Sequence, residues 1–415
     1  MILRNMKILN GHEDMEPISG KAIVIEDGKI KDIIDDNGEG IDLQGAYLLP
    51  GLINLHVHIP ASGMPTKRKL DYEKLGKLLN LAIARSVIKK MCEKYIKAEL
   101  NSGTTTIRAV GGVLDFDSQL RDKFADSGPR ILAANTAISV PGGHMVGSVA
   151  RAAHSAEEAV RMVDELDKQH PNLIKLMITG GVLDADVPGS PGVLKMPPEY
   201  VKAACDRAHE LGYPVAAHVE GTEGMIVALE NGVDTIEHGG RPNKHVIKLF
   251  CETGSALVAT LSPVMPFSQL DPELMNLSDI DQLNGSALHL HMQRCILECL
   301  KNGVAVGLGT DTGCPYTTHY DFWRELYYFV QYCGVTNKFA LHTATEVNSK
   351  IAGIDSETGT VDIGKSADFM VVSGNPLEDL TVLRAPTDVV FKGEIIHDPK
   401  IRKISAVERE LDRLL

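Results

Sequence analysis

Eight short apolar runs, each followed by a stretch with helical spacing, predict an α/β fold: a (β/α)₈ barrel of the TIM type with a small β-sandwich built from both chain ends. Two further observations support it. Histidines, a lysine and an aspartate recur at or near the C-terminal ends of those runs, where such barrels place their active sites. The chain ends carry a different pattern, short strands separated by glycine turns.

In chain order the expected strands are Leu52–His58, Gly103–Gly112, Arg130–Val140, Leu173–Gly181, Pro214–Gly221, Asp234–Gly240, Ser255–Pro263 and Val304–Gly313. They are near-continuously apolar, as strands covered by helices on both faces should be. Ser155–Gln169 starts a helix with a serine followed three residues later by Glu158, the spacing of a capping box. Pro197–Gly212 opens on prolines and closes on glycine. Ser62–Ser102 has room for an extra loop beside its helix. At the ends, "KAIVIEDGKIKDII" reads as strand–turn–strand around Asp27–Gly28, and Gly359–Asp398 holds more short strands. The expected division is residues 1–49 with 359–402 for the sandwich, 50–358 for the barrel and 403–415 for a C-terminal helix.

Composition narrows the function classes. The 415 residues are 44% hydrophobic and 23% charged, enough for a large core, with a formal net charge of −13. No basic run outweighs its acidic neighbours, so no nucleic-acid partner is expected; "PTKRKL" (Pro65–Leu70) reads as a solvated loop. No long apolar stretch predicts a membrane span, and the N-terminus lacks a signal-peptide pattern. Seven cysteines without CxxC spacing fit reduced thiols and a cytoplasmic location. The expected partner is a small-molecule substrate, with a homo-oligomer allowed.

"GLINLHVHIP" (Gly51–Pro60) sets His56 and His58 two residues apart, hence on one face of a strand end. His218, His238 and Asp311 end later strands, and Lys175 lies in the fourth. Imidazole and carboxylate together suit zinc and its neighbours. His170, His209 and His289 fall in helices or loops, where a solvated or packed side chain is the default.

This ordered set, with "IKLMITGG", "AAHVEG", "GVDTIEHGG" and "GLGTDTG", resembles the amidohydrolase superfamily, closest to its prolidase-like and imidazolonepropionase-like branch. The resemblance implies two divalent metals, zinc by preference. His56, His58 and Asp311 would hold one, His218 and His238 the other, with Lys175 between them. A lysine ammonium beside two dications is repelled, so the bridging form would be a carbamate made with carbon dioxide. The alternative is one metal with the Lys175 ammonium paired to Asp311.

The implied chemistry is attack of a metal-bridging hydroxide on an amide carbonyl, with Asp311 shuttling the proton to the leaving amine. "PGGHMVG" places His144 where it would bind the carbonyl or stabilise the oxyanion. Glu220 departs from the tyrosine of several dipeptidase-like relatives; it would meet a cationic substrate group or steady a metal ligand. The expected substrate is a dipeptide or N-acyl amino acid. A cyclic amide, a lactone or ester, one-metal deamination and a non-catalytic scaffold are the alternatives. Specificity would lie in rim loops Ile59–Lys69, Pro141–Arg151, Leu183–Met196 and Pro263–Asn284, the last long enough for a lid.

Overall fold

Barrel strands β1 (Leu52–Val57), β2 (Thr104–Ala109), β3 (Arg130–Ala133, resuming at Ala137–Ser139), β4 (Ile174–Met177), β5 (Val215–Val219), β6 (Thr235–His238), β7 (Ala256–Ala259) and β8 (Val306–Leu308) lie inside the eight expected runs. They come from a computed structural model that describes residues 1–65, 79, 81–185 and 187–415. Neighbouring strands pair in parallel in chain order, β1 to β3 and from the second piece of β3 to β8. Nearly every strand residue is buried, which is why the runs read as continuously apolar.

The barrel closes through side chains as much as through backbone. Between β8 and β1 the ladder reduces to a parallel bridge of Val57 with Thr312 and two bonds nearby, Asp311 N to His56 O and His58 N to Thr312 O, both 2.9 Å. Asn348 fills the gap below. Its Nδ2 donates to Ile53 O (2.6 Å) and Leu308 O (2.8 Å), and its Oδ1 accepts from Leu308 N (2.9 Å). Asn54 does the same higher up, accepting from Thr310 N and donating to Thr310 Oγ1. Gly309 is held to glycine here, because a Cβ would sit 2.5 Å from the Cβ of His56.

Three elements differ from expectation. The third strand breaks at Asn135, whose backbone is left-handed (φ 61°). The seventh stops at Ala259, and a helix, Leu261–Gln269, begins where a strand was expected. Glu325 explains that start: its carboxyl accepts from Leu261 N (2.7 Å) and Ser262 N (2.6 Å), taking up two of the donors that a helix start leaves unpaired. The segment Pro263–Asn284 is therefore largely helical rather than a lid loop, since a second helix spans Asp279–Lys301. Of the rim loop Ile59–Lys69 and the stretch Pro65–Leu70, residues 66 onward lie outside the described residues; of Ser62–Ser102, residues 66–78 and 80 do, while its helix spans Ala82–Asn101.

Helix Ala156–Asp167 starts as its sequence predicts, with Ser155 Oγ accepting from Glu158 N. The Glu158 carboxylate reaches one residue further back than a capping box requires, to His154 N.

The sandwich has two sheets. One comes wholly from the N-terminal end, in the order Lys29–Asp35, Lys21–Glu26, Ile2–Arg4, Ile41–Asp42; its hairpin turns at Asp27–Gly28, both left-handed. The other mixes the two ends, with Tyr47–Pro50 antiparallel to Phe369–Val372, which pairs in turn with Asp388–Phe391. Leu3, Ile23, Leu48, Phe369 and Val390 pack between them. Tyr47–Pro50 continues through Gly51 into β1, so sandwich and barrel are joined without a linker. A short helix, Ser405–Leu411, follows.

Candidate active site

The rim gathers the residues that the sequence scatters. His56 and His58 lie at the end of β1, with rings 5.3 Å apart; the His238 ring is 4.7 Å from those of both His56 and His218. Asp311 Oδ1 lies 3.4 Å from His56 Nε2 and 3.2 Å from His58 Nε2. Donor atoms from His56, His58 and Asp311 fall within 4.8 Å of one another, a spacing that one metal ion would fit. Lys175 sits deeper than expected. It is the second residue of β4 and fully buried, not at the strand end.

Each histidine is oriented by a bond from one ring nitrogen, as metal-ligating histidines are. His56 Nδ1 donates to Glu237 Oε2 (2.7 Å), and His58 Nδ1 donates to Gly111 O (2.8 Å). His238 Nδ1 pairs with Thr260 Oγ1 (2.7 Å), while His218 uses Nε2, donating to Gly180 O (3.3 Å). Within the cluster, two buried nitrogens have no partner among the described residues, His56 Nε2 and Lys175 Nζ. Buried polar groups left unpaired are costly, so these orphans fit a site built to hold a metal ion. Lys175 forms no ion pair with Asp311 among the described residues, which leaves the one-metal arrangement without its expected contact.

Electrostatics agree with that reading. Burial pushes Lys175 down to about 8, against the pull of Glu237, so the neutral amine, a minor form near neutral pH, is far easier to reach than in an exposed lysine. Burial, reinforced by neighbouring histidines and Lys175, holds His218 and His238 well below the ordinary imidazole range, in the neutral form that binds metals. Burial alone would raise Asp311, but the nearby His56 and His58 rings hold it well below the carboxylate range.

His144 and Glu220 also belong to this cluster. The His144 ring stacks on that of His218, 4.1 Å between centroids and 9° from parallel, and its Nδ1 bonds to Asp184. Glu220 Oε1 is 3.9 Å from His218 Nε2, and its Oε2 is buried without a partner among the described residues. Burial, then Asp311 and Asp184, push Glu220 well above the usual range. A positive group in the pocket is what would ionise it.

Sequence reading missed four supports of the cluster, Arg108, Glu237, Asp184 and Cys314. Arg108 donates to Leu55 O (2.7 Å), Thr235 Oγ1 (3.2 Å) and Glu237 Oε1 (2.7 Å), so Glu237 is clamped between Arg108 and His56. Burial works against its charge, yet Arg108 and His56 outweigh it, and Glu237 stays ionised. The signal was a lone charge inside an apolar strand, in "TTTIRA" and again in "DTIEHGG". Asp184, partner of His144, and Cys314, whose Sγ donates to Asp311 Oδ2 (3.2 Å), left no such mark.

A (β/α)₈ barrel with four histidines and an aspartate at its rim and a lysine buried beneath them defines an enzyme with a candidate metal centre. Residues 47–396 match the amidohydrolase family, and the chain belongs to that family. It is a hydrolase acting on carbon–nitrogen bonds, in a family that generally uses divalent metals. Ochratoxinase from Aspergillus niger is 27% identical over 414 residues, spanning 92% of this chain and 83% of that protein. Among solved structures, a putative prolidase from Bifidobacterium longum superposes with a TM-score of 0.87 at 31% identity, covering 100% of this chain and 98% of the other. A Xaa-Pro dipeptidase with bound methionine in its active site follows at 0.81 and 27%, covering 95% and 99%. No helix among the described residues is long and apolar enough to cross a membrane.

Proposed function

We propose that this protein hydrolyses the amide bond of a dipeptide or N-acyl amino acid, using two divalent ions held by His56, His58, His218, His238, Asp311 and a carboxylated Lys175. The observation that carries the reading is Lys175 Nζ, fully buried on β4 and without a hydrogen-bond partner among the described residues. A neutral amine in that position can add carbon dioxide, and the carbamate supplies the negative charge that two cations need. The likeness to a Xaa-Pro dipeptidase and to ochratoxinase supports an amide substrate. Zinc is the proposed ion, and seven free thiols support a cytoplasmic location.

Bound divalent ions would polarise the amide carbonyl and acidify the attacking water. Asp311, ionised at neutral pH, takes the proton of that water and passes it to the departing nitrogen, which leaves poorly without it. His144, its ring steadied by Asp184 at Nδ1 and by stacking on His218, is the residue assigned to the substrate carbonyl. Glu220 lines the same wall with its unpartnered Oε2, a contact for a substrate amine. The proposed division remains residues 1–49 with 359–402, 50–358 and 403–415.

The deciding experiment combines metal analysis with a substrate panel. Two ions per chain and turnover of dipeptides or N-acyl amino acids are expected. Turnover confined to cyclic amides or lactones would overturn the substrate class, and a single ion in a metal-replete, active sample would overturn the bridge.

A further inference from the structure

Helix Asp279–Lys301 carries Leu283, Leu290 and Leu297 at seven-residue intervals, and all three are 41–52% exposed. Its opposite face is packed, with Leu288, Met292, Cys295, Ile296 and Cys299 buried. Heptad spacing keeps the three leucines on one stripe along a helix about 34 Å long. A single exposed leucine needs no explanation; three in register on one helix do.

The stripe is self-complementary about its middle residue. When the helix is turned about a twofold axis at Leu290, a second copy lies antiparallel to it. Leu290 then faces Leu290 and Leu283 faces Leu297 of the other copy. The same operation sets Asp279 opposite Lys301. Both are exposed, and neither has an ion-pair partner among the described residues of its own chain. The antiparallel arrangement also opposes the two helix dipoles favourably. Ser286 and Ala287, between the first two leucines, are small enough to let the helices approach.

We propose that a second copy of this chain docks on this stripe, forming an isologous dimer with its axis at Leu290. The proposal is independent of the substrate reading. The interface would border the active-site rim. Asn284, on the same helix, accepts from Gly189 N (2.7 Å) and donates to Ala185 O (3.4 Å), so it holds the loop carrying the exposed Leu183 and Val187.

The test is sedimentation of the full-length, metal-loaded protein at micromolar concentration. A dimer, or a larger assembly containing it, is expected. Leu290→Glu sets two carboxylates face to face on the axis and should raise the dissociation constant at least tenfold, with circular dichroism unchanged because the residue is exposed. Register is read by cross-linking in a Cys251→Ser background, which removes the exposed native thiol. Leu290→Cys should form an intermolecular disulfide alone. Leu283→Cys and Leu297→Cys should do so only when mixed. A monomeric wild-type protein, an assembly indifferent to Leu290→Glu, or self-linking of Leu283→Cys would each overturn the proposal.

Discussion

Two candidate ligands, His238 and Asp311, hold left-handed backbone at φ 71° and 54°. Such conformations cost of order 1–3 kcal/mol each for residues with side chains, and they persist only where the surroundings impose them. Here the surroundings are Thr260 on the His238 ring and the β1 backbone on Asp311. Asp311→Asn keeps an oxygen for coordination but cannot carry a proton. Turnover should fall at least ~10²-fold with metal content preserved, as steady-state kinetics beside metal analysis would show. Glu237→Gln keeps the shape of the clamp and removes its charge; metal affinity should drop about 10–100-fold in chelator competition.

A third residue-scale prediction concerns Asp117. It is fully buried, neither of its oxygens has a partner among the described residues, and burial pushes it up to about 6 against the opposing influence of His58. The folded chain then keeps a proton that the unfolded chain releases near 3.8. Stability is full below that value and falls as pH rises towards about 6, by about 3 kcal/mol. Urea titrations of chelator-treated protein should show this fall, and Asp117→Asn should lack it. The ligands themselves were legible because their types and strand-end positions are local facts. Arg108, Glu237 and Asp184 were not, because what makes them matter is a partner remote in the chain.

At the scale of elements, the seam between β8 and β1 is the place where ordinary pairing is replaced. Asn348→Leu would leave Ile53 O, Leu308 O and Leu308 N without their side-chain partner. Each buried group so abandoned costs about 1–3 kcal/mol. A loss of at least ~3 kcal/mol in chemical denaturation is therefore expected, well beyond that of an exposed substitution. The eight strands were readable because burial on both faces writes itself into sequence. The helix Leu261–Gln269 was not, because its start is completed by Glu325, far along the chain. The depth of Lys175 escaped for a similar reason: strand length is set by where the ladder ends.

For the whole molecule, the contact between sandwich and barrel rests on Asp368. Its buried carboxylate accepts from Arg130 Nη1 (3.1 Å), Ser366 Oγ (2.8 Å) and Lys392 N (2.8 Å), and its carbonyl accepts from Gly51 N. Breaking a buried ion pair from one side costs about 3–5 kcal/mol. Asp368→Ala should lower the melting temperature accordingly in calorimetry, and Arg130→Ala should cost less, since Asp368 keeps its other donors. That the two ends would share a sandwich was legible in their common glycine-turn strands; which strand would pair with which was not.

That shared sandwich has a consequence for synthesis. The first sheet is complete once residue 42 has left the ribosome, but Tyr47–Pro50 must wait for Phe369–Val372. At about 5–20 residues per second, the delay is on the order of half a minute. Throughout it, Leu48 and Leu49 offer an apolar strand with an open edge while the barrel forms behind them. The nascent chain therefore carries a sticky edge for most of its translation, and the last strands made serve to cover it.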